Sequence, residues 1–196
     1  MKTIPKNLLS MLVALIFFCS CYEPIWVNPI SDVQDAKIDK RLIGAWSEIN
    51  DPGIARLHIY EIDQHSVYII VFDEPRCPIY LEGHISEVDG RSFLNFRGYD
   101  CSTKEFSKYV ISEYEFKGEN EVTFHDLDTS FVRQAIRNKS LSGNMDEGLV
   151  VTATSQEIRD FIENSPKEEL FDGDLTLVFK RFEGPKVTKK SICILF

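Results

Sequence analysis

The chain has 196 residues and a mass of 22.6 kDa, the size of one ordinary domain. Hydrophobic residues make up 43% and aromatic residues 12% against 27% charged, which is enough to fill a core and excludes a disordered chain. The formal charge of −9 and a pI near 5.0 exclude a field that attracts phosphate backbones, so no nucleic-acid partner is expected.

At the N-terminus, Lys2 and Lys6 precede a largely apolar run from Leu8 to Phe18, the layout of an export signal. The run is too short for a transmembrane helix, which needs about 20 apolar residues. At its end, Phe18-Cys19-Ser20-Cys21 resembles the lipobox of bacterial lipoproteins, in which a small residue precedes the cysteine that becomes the mature N-terminus. Cys19 fails that test because bulky Phe18 stands before it. The resemblance implies that residues 1–20 are a signal peptide and that Cys21 receives the lipid, with palmitate-like acyl chains holding the protein on a membrane. Tyr22 rather than Asp follows the cysteine, which implies transfer to the outer membrane, facing the periplasm. Processing removes two lysines and no acid, taking the charge from −9 to −11. Residues 21–39 then form the lipidated cysteine and linker, with Pro24, Asn28, Pro29, Ser31 and Asp32 suggesting an extended tether over Tyr22 to Asp35.

Beyond the linker, apolar runs alternate with turn signals at intervals of about ten residues, as in an all-β sandwich or barrel. Strands are expected over Arg41–Ile49, Ile54–Ile62, Ser66–Phe72, Ile79–Glu87, Ser92–Gly98, Lys108–Lys117, Glu121–Asp126, Leu149–Ala153 and Leu175–Phe182. Asn50-Asp51-Pro52-Gly53, Asp63-Gln64, Asp89-Gly90, Gly118-Glu119-Asn120 and Asp172-Gly173-Asp174 supply the turns, and the first seven strands read as a meander. In Ser66–Phe72 both alternating faces are apolar, so that strand is buried on both sides. Two helices precede the last strands. Asp128 caps one carrying Phe131, Val132, Ala135 and Ile136, and Thr154-Ser155-Gln156-Glu157 is a capping box for one carrying Ile158, Phe161 and Ile162. Each has one apolar stripe, suited to covering strand faces such as Tyr68, Ile70 and Phe72.

Export implies oxidising surroundings for Cys77, Cys101 and Cys193. A two-residue Asp89-Gly90 turn sets Ile85 opposite Leu94 and Gly83 opposite Phe96, and offsets Cys77 to Ser102. A three-residue loop from Val88 instead pairs Cys77 with Cys101. The hydrophobic pattern prefers the first register, and a bulge near Gly98 would reconcile them. A Cys77–Cys101 disulfide and two free thiols therefore stay open as alternatives. Cys193-Ile194-Leu195-Phe196 after Lys189-Lys190 matches a prenylation box, but that chemistry belongs to the eukaryotic cytosol and conflicts with an export signal. Residues 184–196 read as a C-terminal tail.

Leu42-Ile43-Gly44-Ala45-Trp46 opens the first strand, and its Gly-x-Trp resembles the first motif of lipocalin-like proteins. The resemblance implies a mainly β fold, an antiparallel up-and-down barrel over residues 40–183 with the two short helices inserted before the last strands. It further implies that Gly44 and Trp46 close the barrel base and that a basic residue from the end of the last strand, Arg181 with Lys180 as alternate, packs over Trp46. The family's second motif, a Thr-Asp-Tyr-like sequence, is absent.

Chemistry-bearing residues are sparse. His58 shares a strand face with Arg56 and Tyr60, and His84 with Tyr80 and Glu82, groupings that could mimic a metal or acid–base site. Alternating strands carry polar residues on one face by default, and the acids at Glu113 and Glu115, or Glu168 and Glu169, are explained as solvated. No HExxH, GxSxG, phosphate loop, GxGxxG or CxxC occurs. The expectation is a lipid-anchored, non-catalytic binding module of the cell envelope, with neither cofactor nor metal. The aromatic strands favour a carrier or sensor of a small apolar ligand, and the alternative is a filled barrel that binds an envelope protein.

Overall fold

A computed structural model describes residues 23–49, 56–72, 78–100, 105–146 and 148–182. Residues 1–20, expected to be a signal peptide, Cys21, Cys77, Cys101 and residues 184–196, expected to be a tail, lie outside the described residues, as does the expected turn at 50–53.

The elements in chain order are β1 (Ile25–Trp26), a 3-10 turn (Val33–Asp35), β2 (Gly44–Glu48), β3 (Arg56–Glu61), β4 (Ser66–Phe72), β5 (Ile79–Val88), β6 (Arg91–Asp100), β7 (Glu105–Phe106), β8 (Val110–Phe116) and β9 (Glu121–Leu127). There follow α1 (Thr129–Arg137), β10 (Gly143–Asn144), β11 (Val150–Val151), α2 (Ser155–Asn164), α3 (Lys167–Leu170) and β12 (Phe171–Arg181). Eight strands close on themselves in the order β2-β3-β4-β5-β6-β8-β9-β12, every neighbouring pair antiparallel, with β12 returning to β2. The result is a closed antiparallel barrel, compatible with a lipocalin-like fold.

The register follows from the turns and the period-2 alternation. Asp89 and Gly90 both have positive φ, 49° and 70°, as a two-residue type I′ turn demands, and Ile85 pairs with Leu94 and Gly83 with Phe96. Once that register is set, alternate residues point inward all round the barrel: Leu57 and Ile59, Ile69 and Val71, Leu94 and Phe96, Val122 and Phe124, Phe179. The expected turn at Asp172–Asp174 is instead part of β12, absorbed as a register shift between Phe171 and Thr176.

A second apolar core lies outside the barrel wall. Val88, Phe93, Ile111 and Leu127 of the wall pack with Val132 and Ile136 of α1, Ile158, Phe161 and Ile162 of α2, and Leu170 of α3. The two expected helices form where their caps predict: Asp128 accepts from the Phe131 amide, and the Thr154–Glu157 capping box is complete. They cover the β5–β6–β8–β9 flank rather than the Tyr68–Ile70–Phe72 face, where Tyr68 is stacked on Tyr80. The segment Leu149–Ala153 is not a barrel strand. Only Val150–Val151 is extended, pairing in parallel with β1 and antiparallel with β10, and the alternate residues Leu149, Val151 and Ala153 are buried in the second core.

Residues 23–36, for which composition suggests a tether, are a strap packed across the barrel exterior. Trp26 and Ile30 are fully buried in the second core. Ile25 donates to Leu149 O at 2.9 Å, and Trp26 exchanges backbone hydrogen bonds with Tyr109. The turn-forming residues serve as pins: Asn28 donates to Ala153 O at 2.9 Å, and the Ser31 and Ser86 hydroxyls are 2.6 Å apart. Fully buried Asn95 accepts from the Ile30 amide at 2.9 Å and donates to Ser86 Oγ at 2.8 Å. Burying a polar side chain is tolerable only with its hydrogen bonds made, and here the bonds fix the strap in one position.

Candidate functional site

The barrel interior is the natural place to look for a site. Its base is closed by residues that the fold brings together from both ends of the domain. Trp46 is fully buried and donates from Nε1 to Leu42 O at 2.8 Å. Arg181 pairs directly with Trp46 in the β12–β2 ladder, and its guanidinium lies 4.3 Å from the Trp46 ring. The same guanidinium donates to Ile43 O at 2.9 Å and Arg41 O at 2.5 Å, stitching the chain entering β2 to the chain leaving β12. Gly44 has φ +142°, and a β-carbon there would stand 2.6 Å from Arg181 Nη1. Gly44, Trp46 and Arg181 thus form one closure, while Lys180 sits on the alternate face of β12.

Above this base the interior is nearly filled. A cavity of about 50 Å³ remains, lined by apolar side chains including Ile69, Phe96, Phe124 and Phe179 and by two polar ones, Ser112 and Asp126. Ser112 Oγ donates to Asp126 Oδ1 at 2.5 Å. The sequence held a signal for both residues: Asp126 has the same parity as inward-facing Val122 and Phe124, and Ser112 the same parity as inward-facing Tyr114. Glu23, at the start of the strap, lies within electrostatic reach of Asp126. Burial, and then the Asp126 charge, push its carboxyl up to about 7.

The four histidines do not converge. His58 Nδ1 is 2.9 Å from Tyr60 Oη, and its ring packs against Phe72 and Phe182. His65 Nδ1 donates to Ala36 O at 2.9 Å, His84 Nε2 donates to Ser31 O at 2.9 Å, and His125 Nδ1 is 3.3 Å from Thr176 Oγ1. Each serves a different local structure, and among the described residues no group of three or more His, Cys, Asp or Glu could hold a metal.

His84 belongs to the strap's hydrogen-bond set, and burial lowers its pKa below the usual 6.5. The unfolded chain therefore takes up a proton near pH 6.5 that the folded chain resists, so stability should fall as pH drops through 6.5 toward the folded value. Lowered by burial and by Arg56, the His58 pKa adds to the same slope. Glu23 acts oppositely: its contribution is full below the unfolded pKa of 4.5 and is lost as pH rises through about 7. Urea midpoints from pH 5 to 8 should show a flatter acid limb in His84→Gln than in the parent; identical curves would exclude His84 as a source of the slope.

Glu113, taken from sequence as solvated, is a correction. Its side chain is 1% exposed and receives Arg91 Nε at 2.9 Å, and Arg91 is held between the Phe93 and Phe171 rings at 5.3 and 4.9 Å. Neighbouring Glu115 is half exposed and pairs with Lys167 of α3 at 2.5 Å. Parity separates neither residue, since both lie on the outer face. What distinguishes Glu113 is Arg91, which covers it from β6 and is itself held by Phe93 and by Phe171 at the start of β12.

A second concavity lies on the helical flank. A cleft of about 480 Å³ opens between α1 and α2, with Phe131 and Phe161, 5.6 Å apart, in its lining and with Glu157 and Asp160 contributing acids. No Lys or Arg lines it.

Compared with known proteins, the chain matches no family model, no curated protein and no solved structure.

Proposed function

We propose that the chain is a lipid-anchored, non-catalytic binding module of the bacterial cell envelope, held at Cys21 in the outer membrane and facing the periplasm. In this reading the filled barrel is a rigid support, and the function is contact with an envelope protein. The observation that carries it is the contrast between inside and outside. The interior space of about 50 Å³ is well below the roughly 300–1,000 Å³ of ligand pockets, and below the ~150 Å³ of an apolar cavity that takes benzene. The α1–α2 cleft, at about 480 Å³, is within the pocket range. Its Phe131–Phe161 pair and acidic lining suit an apolar side chain flanked by positive charge on a partner.

The second reading, a carrier or sensor of a small apolar ligand, is favoured by the apolar lining of the interior cavity. It requires the interior side chains to move apart. Native mass spectrometry of the protein from its own membranes, with organic extraction, separates the two. A bare protein that crosslinks to an envelope protein through the α1–α2 cleft supports the first. A stoichiometric apolar compound selects the second.

Anchoring has its own test. Cys21→Ser should leave the fold intact by circular dichroism and shift the protein from the membrane fraction to the soluble fraction. Unchanged membrane retention excludes the lipobox reading.

A further inference from the structure

The strap that begins two residues after Cys21 fixes which side of the barrel lies next to the anchor. Trp26 is locked to Tyr109 by paired backbone hydrogen bonds of 2.9 and 2.8 Å. Trp26 is five positions after Cys21, so even fully extended the chain keeps the two within about 18 Å. The Tyr109 ring lies under the Arg97 guanidinium at 5.1 Å, and the same guanidinium covers Phe106 at 4.2 Å. Phe106 in turn meets Tyr99 edge to face at 5.2 Å, the two being partners across β6 and β7. One contiguous run of side chains therefore leads from the strap to an aromatic pair at the end of β6.

Tyr99 and Phe106 are 40% and 45% exposed, two of the four large apolar residues most open to solvent among those described. An aromatic pair with a Tyr hydroxyl and a flanking Arg is the chemistry of the bilayer interface: the rings sit at headgroup level and the long cationic side chain reaches water. Exposed Glu105 and Lys108 lie on either side of Phe106 in sequence and Arg97 is paired with Glu82 at 3.7 Å, so the edge carries charges of both signs, and the net charge of the whole chain is negative. The contact thus rests on ring insertion, not on attraction to anionic lipid.

We propose that the barrel lies on the bilayer by this edge, with Tyr99 and Phe106 inserted among the lipid headgroups. The proposal rests on the lipid-anchored reading of Cys21. Two aromatic rings alone would bind a membrane weakly. With the acyl chains already embedded, the second contact is intramolecular and its effective concentration is high, so weak insertion is sufficient to orient the domain. The α1–α2 cleft, on the flank of the barrel, is left for a protein partner.

The test uses the full acylated protein in vesicles of phosphatidylethanolamine and phosphatidylglycerol, with and without brominated acyl chains, which quench tryptophan at short range. Phe106→Trp is the probe. Ile62→Trp, 46% exposed in the β3–β4 turn at the opposite end of the barrel, is the control. Native Trp26 and Trp46 are fully buried and give a background that the parent protein subtracts. The added fluorescence of Phe106→Trp should shift to the blue and fall at least twofold on brominated lipid, while that of Ile62→Trp is unchanged. Tyr99→Trp is the second probe if the first variant fails to fold.

Mass spectrometry of the N-terminal peptide accompanies each preparation. An unmodified Cys21 overturns the anchoring reading, and the orientation with it. An acylated Cys21 with both probes equally bright, or equally quenched, overturns the orientation alone. A Phe106→Trp probe that responds only in native envelope membranes assigns the edge to a protein instead. One that responds to protein concentration without lipid assigns it to a second copy of the chain.

Discussion

Replacing Glu113 with alanine should cost about 3–5 kcal/mol of stability, because it strands the Arg91 guanidinium in a desolvated site with no counter-charge. The pair is largely buried: Glu113 is 1% and Arg91 15% exposed, Arg91 lies between the Phe93 and Phe171 rings, and Arg91 Nη2 and Glu113 Oε2 have no hydrogen-bond partner. Those two orphaned atoms mean that the intact pair recovers only part of its desolvation cost. The double replacement Arg91→Met with Glu113→Leu should therefore return most of the loss and could exceed the parent, since apolar residues of similar volume often replace a buried ion pair at no cost. Glu115→Ala, which breaks an exposed pair with Lys167, should cost about 0–1 kcal/mol. Urea unfolding of the four proteins checks the set. Equal losses for Glu113→Ala and Glu115→Ala would show that burial is not what distinguishes them.

Gly44→Ala should cost about 2–5 kcal/mol through two additive routes. The backbone at φ +142° is open only to glycine without strain, which accounts for roughly 1–3 kcal/mol. The new β-carbon, 2.6 Å from Arg181 Nη1, then drives the guanidinium off the Trp46 face and away from the Ile43 and Arg41 carbonyls. A partly desolvated cation–π contact is itself worth about 0.5–2 kcal/mol. A double-mutant cycle separates the routes: in an Arg181→Ala background, Gly44→Ala should retain only the backbone cost. If the penalty is the same in both backgrounds, close packing of Arg181 is not the reason for glycine at this position.

Local chemistry made the meander readable from sequence. Asp89-Gly90 can adopt two positive φ angles in succession, so it fixes a two-residue hairpin and with it the parity of both flanking strands. Asp128 and Thr154 mark helix starts because a side-chain oxygen in that position satisfies an amide that the helix leaves free. Gly44, Trp46 and Arg181 were legible through a family resemblance and their place in the first and last barrel strands, which pair with each other.

What escaped reading depends on long-range burial. Pro24, Asn28, Pro29 and Ser31 have the same composition in a tether and in a strap, and only the presence of a second core around Trp26 and Ile30 decides between them. Glu113 and Glu115 have the same parity, and only the placement of Arg91, held between Phe93 of β6 and Phe171 of β12, distinguishes the buried acid from the exposed one. The single turn of α3 follows Pro166 and is too short to carry a periodic signal. Asp126 was legible by parity, but an acid among inward positions is discounted until its hydroxyl partner Ser112 is placed beside it.

The strap also sets an order of events in synthesis. Its partners include Ser86, Asn95 and Tyr109 but also Leu149, Val151, Ala153 and, 126 residues from Pro29, Ser155, so its docking is not complete until most of the chain exists. For an exported lipoprotein, those partners must cross the membrane as well. During that interval the strap has only part of its hydrogen-bond set. Of the described segments, the last to settle fully is therefore the one that is made first.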